Sequence, residues 1–233
     1  MNKMPTMRGI KPTNHTWELS PQKAVALQKH LAGEVICESE VDAKNVETVA
    51  GIDTHYHDGL ATAALVTMSL QDPKTIDYVT TSRRTDFPYI PGLLAFREGP
   101  AILDALSKLQ ILPDVLIFDG QGIAHPRRFG LASHIGLLSG IPSIGCAKTN
   151  LSGIYEEPDI QKGSFSYLID PKDRDSIIGA VLRTRSNVKP LFVSVGHKMN
   201  LQDSINIILR CCPRYRLPEP IRQADRLARS GSI

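Results

Sequence analysis

No run of apolar residues approaches the roughly 18 that a membrane-spanning helix needs, which excludes a helical membrane protein. Charge of one sign is not in large excess: 27 Lys and Arg against 24 Asp and Glu leave +3. Any basic surface must therefore come from clustering rather than from bulk charge. Cysteine is scarce, at four residues. Cys37, Cys146, Cys211 and Cys212 lack the paired spacing of a zinc site, and the last two are adjacent. A disulfide scaffold is excluded and a reduced, cytoplasmic setting is expected. Internal repeats and low-complexity tracts are also missing. The polar N-terminus lacks the apolar core of a secretory signal, so residues 1–16 are expected to be a flexible leader. What remains is 42% apolar and 22% charged over 233 residues, enough for a core without disulfides. A single domain over residues 17–229, a short tail at 230–233 and a monomeric state are expected.

Ser20 is placed to cap a helix whose first residue is Pro21, with Ala24, Val25, Leu27 and Leu31 as its buried stripe. Residues 46–53 (VETVAGID) read as a strand, Asp58-Gly59 as a hairpin turn, and residues 60–70 as the returning strand. Residues 75–81 make a third strand. A helix follows over 92–109, then VLIF (Val115 to Phe118), whose unbroken apolar character fits a buried parallel strand. A second helix at 130–139 precedes a buried strand at 141–147. Further strands fall near 166–169, 177–182 and 191–195, and two last helices at 200–211 and 219–229. An antiparallel meander followed by alternating helices and parallel strands predicts an α/β fold with a mixed sheet flanked by helices, the order found in ribonuclease H-like folds.

Asp53 and Asp119 each end an apolar strand, and the glycines of the DGQG run after VLIF would let a substrate backbone approach closely. Ligands collect at the carboxyl ends of parallel strands, and Glu98, in the helix between, could lean over the same edge. Residue type and position leave two readings open. These are ordinary turn and cap carboxylates, or oxygen ligands for a hard cation such as Mg²⁺.

Longer blocks of text narrow the choice. FPYIPGLLAFREGP (Phe87 to Pro100), DVLIFDGQGIAHPRRFGLASHIG (Asp114 to Gly136), GIPSIGCAKTNL (Gly140 to Leu151), SVGHK (Ser194 to Lys198) and YRLPEPIRQAD (Tyr215 to Asp225) together resemble endonuclease V, in the form found in bacteria. The blocks are ordered and spread over most of residues 17–229, which makes them far more specific than a short motif.

The resemblance implies that Asp53, Glu98 and Asp119 bind the catalytic metal, Mg²⁺ or in its place Mn²⁺, with Asp225 as a further ligand where some relatives carry histidine. It implies that Pro88, Tyr89, Ile90 and Pro91 form a strand-separating wedge with the tyrosine at its tip. It also implies that Gly92, Leu94, Gly120 and Gly122 line the pocket for a flipped hypoxanthine, and that Lys148 stands by the scissile phosphate. His125 would touch the site or fix its loop, and Arg127 and Arg128 would support backbone binding. The activity implied is repair of deoxyinosine in DNA. The second phosphodiester 3′ to the lesion is hydrolysed, leaving 3′-hydroxyl and 5′-phosphate ends.

Two features stand outside that reading. Asp53, His55 and His57 alternate on one strand face, as transition-metal ligands would, although His57 lies at the predicted turn. Arg210, Arg214, Arg216, Arg222, Arg226 and Arg229 crowd the last helices, either as a phosphate-binding surface or as a solvated basic face. Rival functions are inosine-specific cleavage of RNA, a non-catalytic inosine-binding protein, and another ribonuclease H-like nuclease.

Overall fold

Asp58 and Gly59 both take left-handed backbone, with φ of 50° and 76°, the pair of values a two-residue type I′ turn requires. This turn joins β1 (Thr48–His57) to β2 (Leu60–Ser69), and β3 (Thr75–Arg84) completes the expected antiparallel meander. The computed structural model describes residues 15–230. Residues 1–14 of the predicted leader and 231–233 of the predicted tail lie outside the described residues.

On its other side β1 pairs in parallel with β4 (Val115–Phe118), which pairs in parallel with β5 (Ser143–Ala147). The strands β6 (Phe165–Asp170), β7 (Asp173–Leu182) and β8 (Leu191–His197) form a second antiparallel unit, joined to β5 by an antiparallel β8. The full order is β3-β2-β1-β4-β5-β8-β7-β6, the mixed sheet anticipated from the sequence. Parallel pairing is narrower than expected, because it stops at β5. A close hairpin from β6 to β7 and the return through β8 reverse the chain there, and hydrophobic periodicity does not report strand direction.

Successive side chains on a strand point to opposite faces, and the core divides accordingly. Ala50, Ile52, Leu116 and Phe118 face α2 (Leu94–Leu106) and α3 (Leu131–Ser139). Val49, Val115 and Ile117 face α4 (Leu201–Arg210) and α5 (Glu219–Ser230). Helix α1 (Pro21–Leu31) opens on the predicted Ser20 cap, whose hydroxyl accepts from Lys23 N–H, with Pro21 at its first position. Its buried stripe contains Ala24, as expected, but also Gln28, which is 1% exposed.

Candidate active site

Ile52 and Phe118 are the last paired residues of the β1–β4 ladder, and the Asp119 N–H donates to the Ile52 carbonyl at 3.2 Å. The next residue on each strand is an aspartate. Register alone therefore sets Asp53 and Asp119 side by side, on the face that carries α5. Asp119 follows the end of its strand as predicted. Asp53 does not end its own: β1 runs on to His57, because β2 stays paired with it that far. What stops at Asp53 is the neighbouring β4, and that opens the edge.

Other elements bring further groups to the pair. From α5, Asp225 stands near enough to Asp53 that its carboxylate helps to raise the Asp53 carboxyl. Lys148, just past β5, places its ammonium on an Asp119 carboxylate oxygen. Glu98 of α2 is buried and accepts from the Tyr56 hydroxyl at 3.2 Å. Burial, and next the charge of Asp119, push the Asp53 carboxyl up to about 7, with Lys148 acting in the opposite sense. Burial, then the charge of Asp53, push Glu98 up to about 8. Burial alone would lower Lys148, but its bond to Asp119 and the surrounding carboxylates raise it.

Crowded acids that resist ionisation are the electrostatic deficit a cation offsets. An all-oxygen donor set suits a hard divalent ion such as Mg²⁺, so the residues present fit a metal. Among the described residues, no three or more His, Cys, Asp or Glu side chains are gathered into a preformed cage. The histidines that alternate with Asp53 do not build one: His57 makes an exposed 3.1 Å ion pair with Asp58 beside the turn.

Beside the acids lies a pocket of about 430 Å³, within the range of small-ligand sites. Of the predicted lining, Gly92, Leu94 and Gly120 face it, together with Tyr89, Ile90, Pro91 and His125. Gly122 does not. It lies beneath, where an added Cβ would meet the Val195 carbonyl oxygen at 1.9 Å, so its role in the fold is close packing of backbone on β8. Pro88 turns away toward Trp17 and Phe96. Phe87 stacks on Phe96 at 5.5 Å, and Ile90 packs against the Leu93–Phe96 cluster. Between these two anchors Tyr89 stands 72% exposed at the pocket rim.

The rim is tied by a polar network that sequence reasoning missed. The Gly92 carbonyl accepts from Gln28 Nε2 at 2.9 Å and from Arg127 Nη2 at 2.7 Å. Its third contact is His125 Nε2 at 3.0 Å. Because the Arg127 backbone N–H donates to His125 Nδ1, the ring proton sits on Nε2 and is donated to Gly92. Burial, then Arg127, lower His125 to about 4, so it is a neutral loop-fixing imidazole at ordinary pH. Gln28 also donates to the Phe129 carbonyl and accepts from Arg127 Nε at 2.6 Å. Arg128 donates to the His125 carbonyl and pairs with Asp170. Both arginines are thus engaged with protein acceptors rather than presented to a phosphate. Gln28 was detectable in principle, four residues after buried Ala24 on the same helix face.

Comparison with known proteins shows the family and the fold. The endonuclease V family model matches residues 29–226. Endonuclease V of Methanothrix thermoacetophila is 51% identical over 214 residues, covering 92% of this chain and 93% of that protein. Endonuclease V of Roseiflexus sp. is 46% identical over 218 residues, 93% and 96% of the two chains. The crystal structure of Streptomyces avermitilis endonuclease V superposes with a TM-score of 0.86 at 41% identity, covering 92% of this chain and 94% of that one. That of the Ciona intestinalis protein, in complex with a 24mer DNA containing an inosine followed by a ribo-adenosine, does so with 0.78 at 29% identity, covering 90% and 96%.

Proposed function

The chain belongs to the endonuclease V family and is a metal-dependent endonuclease, and from this we propose that it cuts DNA at the second phosphodiester 3′ to deoxyinosine with Mg²⁺, leaving 3′-hydroxyl and 5′-phosphate ends. One observation supports the reading above others: the paired Asp53 and Asp119 lie beside a pocket whose rim carries an exposed tyrosine. The structural relative from Ciona intestinalis that holds inosine-containing DNA supports the substrate.

Asp53, Glu98 and Asp119, with Asp225, are the residues that would hold Mg²⁺ or Mn²⁺. The ion would supply charge that activates water and offsets that of the phosphate. Lys148 puts a fixed positive charge at the same spot through its contact with Asp119, where it would counter charge developing on phosphate oxygens. Tyr89, held between two partly buried anchors, offers a ring that can fill the gap left by a flipped base. Gly92, Leu94 and Gly120 would wall the extruded base. Four free cysteines support a cytoplasmic setting, and no helix among the described residues is long and apolar enough to cross a membrane.

The test is cleavage mapping on end-labelled duplexes carrying a single inosine, in DNA and in RNA, with Mg²⁺ or with chelator. A Mg²⁺-dependent nick directly 3′ of the inosine's 3′ neighbour in DNA is expected. Cutting of RNA alone would move the substrate to inosine-containing RNA, and cutting without regard to inosine would overturn the reading.

A further inference from the structure

Lys148 belongs to two pockets. It lines the one beside Tyr89 and also a second, of about 530 Å³, between the C-terminal helix and the loop after β7. The second is walled by Lys148, Arg185, Arg216, Arg222 and Arg226, with Tyr215 among them and Asp225 as its one carboxylate. Arg222 lies 3.7 Å over the Tyr215 ring and Arg214 5.5 Å from it. The Arg222 Nε is buried without a hydrogen bond and reaches Glu219 only as a 3.5 Å ionic contact. Arg216 is committed to the carbonyls of Lys148, Lys189 and Pro190. Arg185 and Arg226 are exposed, and among the described residues neither guanidinium has a hydrogen-bond or ion-pair partner. Solvated surface arginines are common, but here two lie in a concave site with three other cations and only one acid.

We infer that this groove binds the phosphodiester backbone of the substrate strand on the 3′ side of the cut, with Arg185 and Arg226 as its phosphate contacts. The inference rests on the proposed cleavage position and follows from order in space. Asp119 and Lys148 form the boundary between the two pockets, because Lys148 touches Asp119 and lines both. A strand whose base enters the first pocket and whose second 3′ phosphate lies on the carboxylates must leave through the second. A guanidinium fork suits phosphate oxygens, and the arginine-backed face of Tyr215 suits a base stacked beside the backbone. This part of the C-terminal arginine cluster is therefore a strand exit, whereas Arg210 is a structural tie to the Ala43 and Val46 carbonyls.

The experiment measures affinity of the full chain, in EDTA so that nothing is cut, for single strands with one inosine or with adenosine in its place, including one lengthened by four nucleotides on the 5′ side only. One strand ends at the expected cleavage point and another continues four nucleotides further in the 3′ direction. The longer strand is expected to bind about tenfold tighter at low salt. In R185Q/R226Q that advantage disappears and the salt slope of the long strand falls by roughly 1.4, about 0.7 per lost contact. An unchanged thermal melt of the variant assures its fold. Equal long-to-short ratios in parent and variant would overturn the groove, as would a length advantage seen only on the 5′ side. If the parent ignores inosine while the variant still loses the length advantage, the base-pocket reading fails and the groove stands.

Discussion

The bed of acids and the rim of the neighbouring pocket use polar groups in opposite ways. In the bed, Asp53 and Glu98 are crowded until their carboxyls resist ionisation. At the rim, Gln28, His125, Arg127 and the Gly92 carbonyl satisfy one another. Unmet charge raises the free energy of the fold and lowers that of binding, whereas a closed hydrogen-bond network holds geometry and contributes stability. The difference teaches where to expect function without stability, and where stability sets function.

The sharpest way to break this contrast is Asp119→Ala. Nicking should drop on the order of 10³-fold, equivalent to ~4 kcal/mol of barrier, while an inosine strand still binds and the melting temperature does not fall. A clean preparation that kept Mg²⁺-dependent nicking would remove Asp119 from the centre. Gln28→Leu tests the rim. It leaves Arg127 Nε and the Phe129 carbonyl without their Gln28 partner, so a loss of about 2 kcal/mol in denaturant unfolding is expected. Discrimination between inosine and adenosine should weaken with it, and unchanged stability would show that the network is ornamental.

Tyr89→Ala should leave stability unchanged, because the ring is exposed. It should weaken lesion binding about tenfold, within the range of one lost base stack, and equal affinity of variant and parent would refute the wedge. The smallest effect concerns pH. The Glu98 carboxyl is raised to about 8 from an ordinary 4.5. Below about 4.5 the group is protonated in both folded and unfolded chains and carries no penalty. As pH rises toward 8 the unfolded chain ionises while the folded one does not, so metal-free stability falls across that window. Glu98→Gln should therefore melt a few degrees above the metal-free parent at pH 8 and level with it at pH 4, by calorimetry in EDTA. No difference at pH 8 would mean that the acids are not crowded in solution.

Much of this was legible in the sequence for identifiable reasons. VLIF has no polar residue to blur it, and its strand spans the predicted residues. Asp58-Gly59 states its turn chemistry outright. The end of β1 was not legible, because Thr54 to His57 are polar and are held in the sheet by pairing with β2, a long-range contact. The direction of β6, β7 and β8 was hidden for the same reason. At the site, Glu98 and Asp119 were reached through the blocks around them and Asp53 through its place on an apolar strand and the family resemblance, yet the adjacency of Asp53 and Asp119 comes from the Ile52–Phe118 register, which no local pattern contains. Gly122 was misplaced because a glycine that lets a substrate approach and one that lets a strand approach look the same in the text. Gln28 was missed because a polar residue in an amphipathic helix reads as solvent-facing.

The Gly92 carbonyl has a bearing on which visitors the pocket can tell apart. It already receives three N–H groups, and a carbonyl has two lone-pair directions. No capacity is left for a fourth. A base lodged beside it meets a mute oxygen, so a proton on the base's edge goes unread at that point. Tautomers that differ only in such a proton would be alike at this oxygen, and reading that proton would fall to other groups of the lining, such as Asp119 and Gln121.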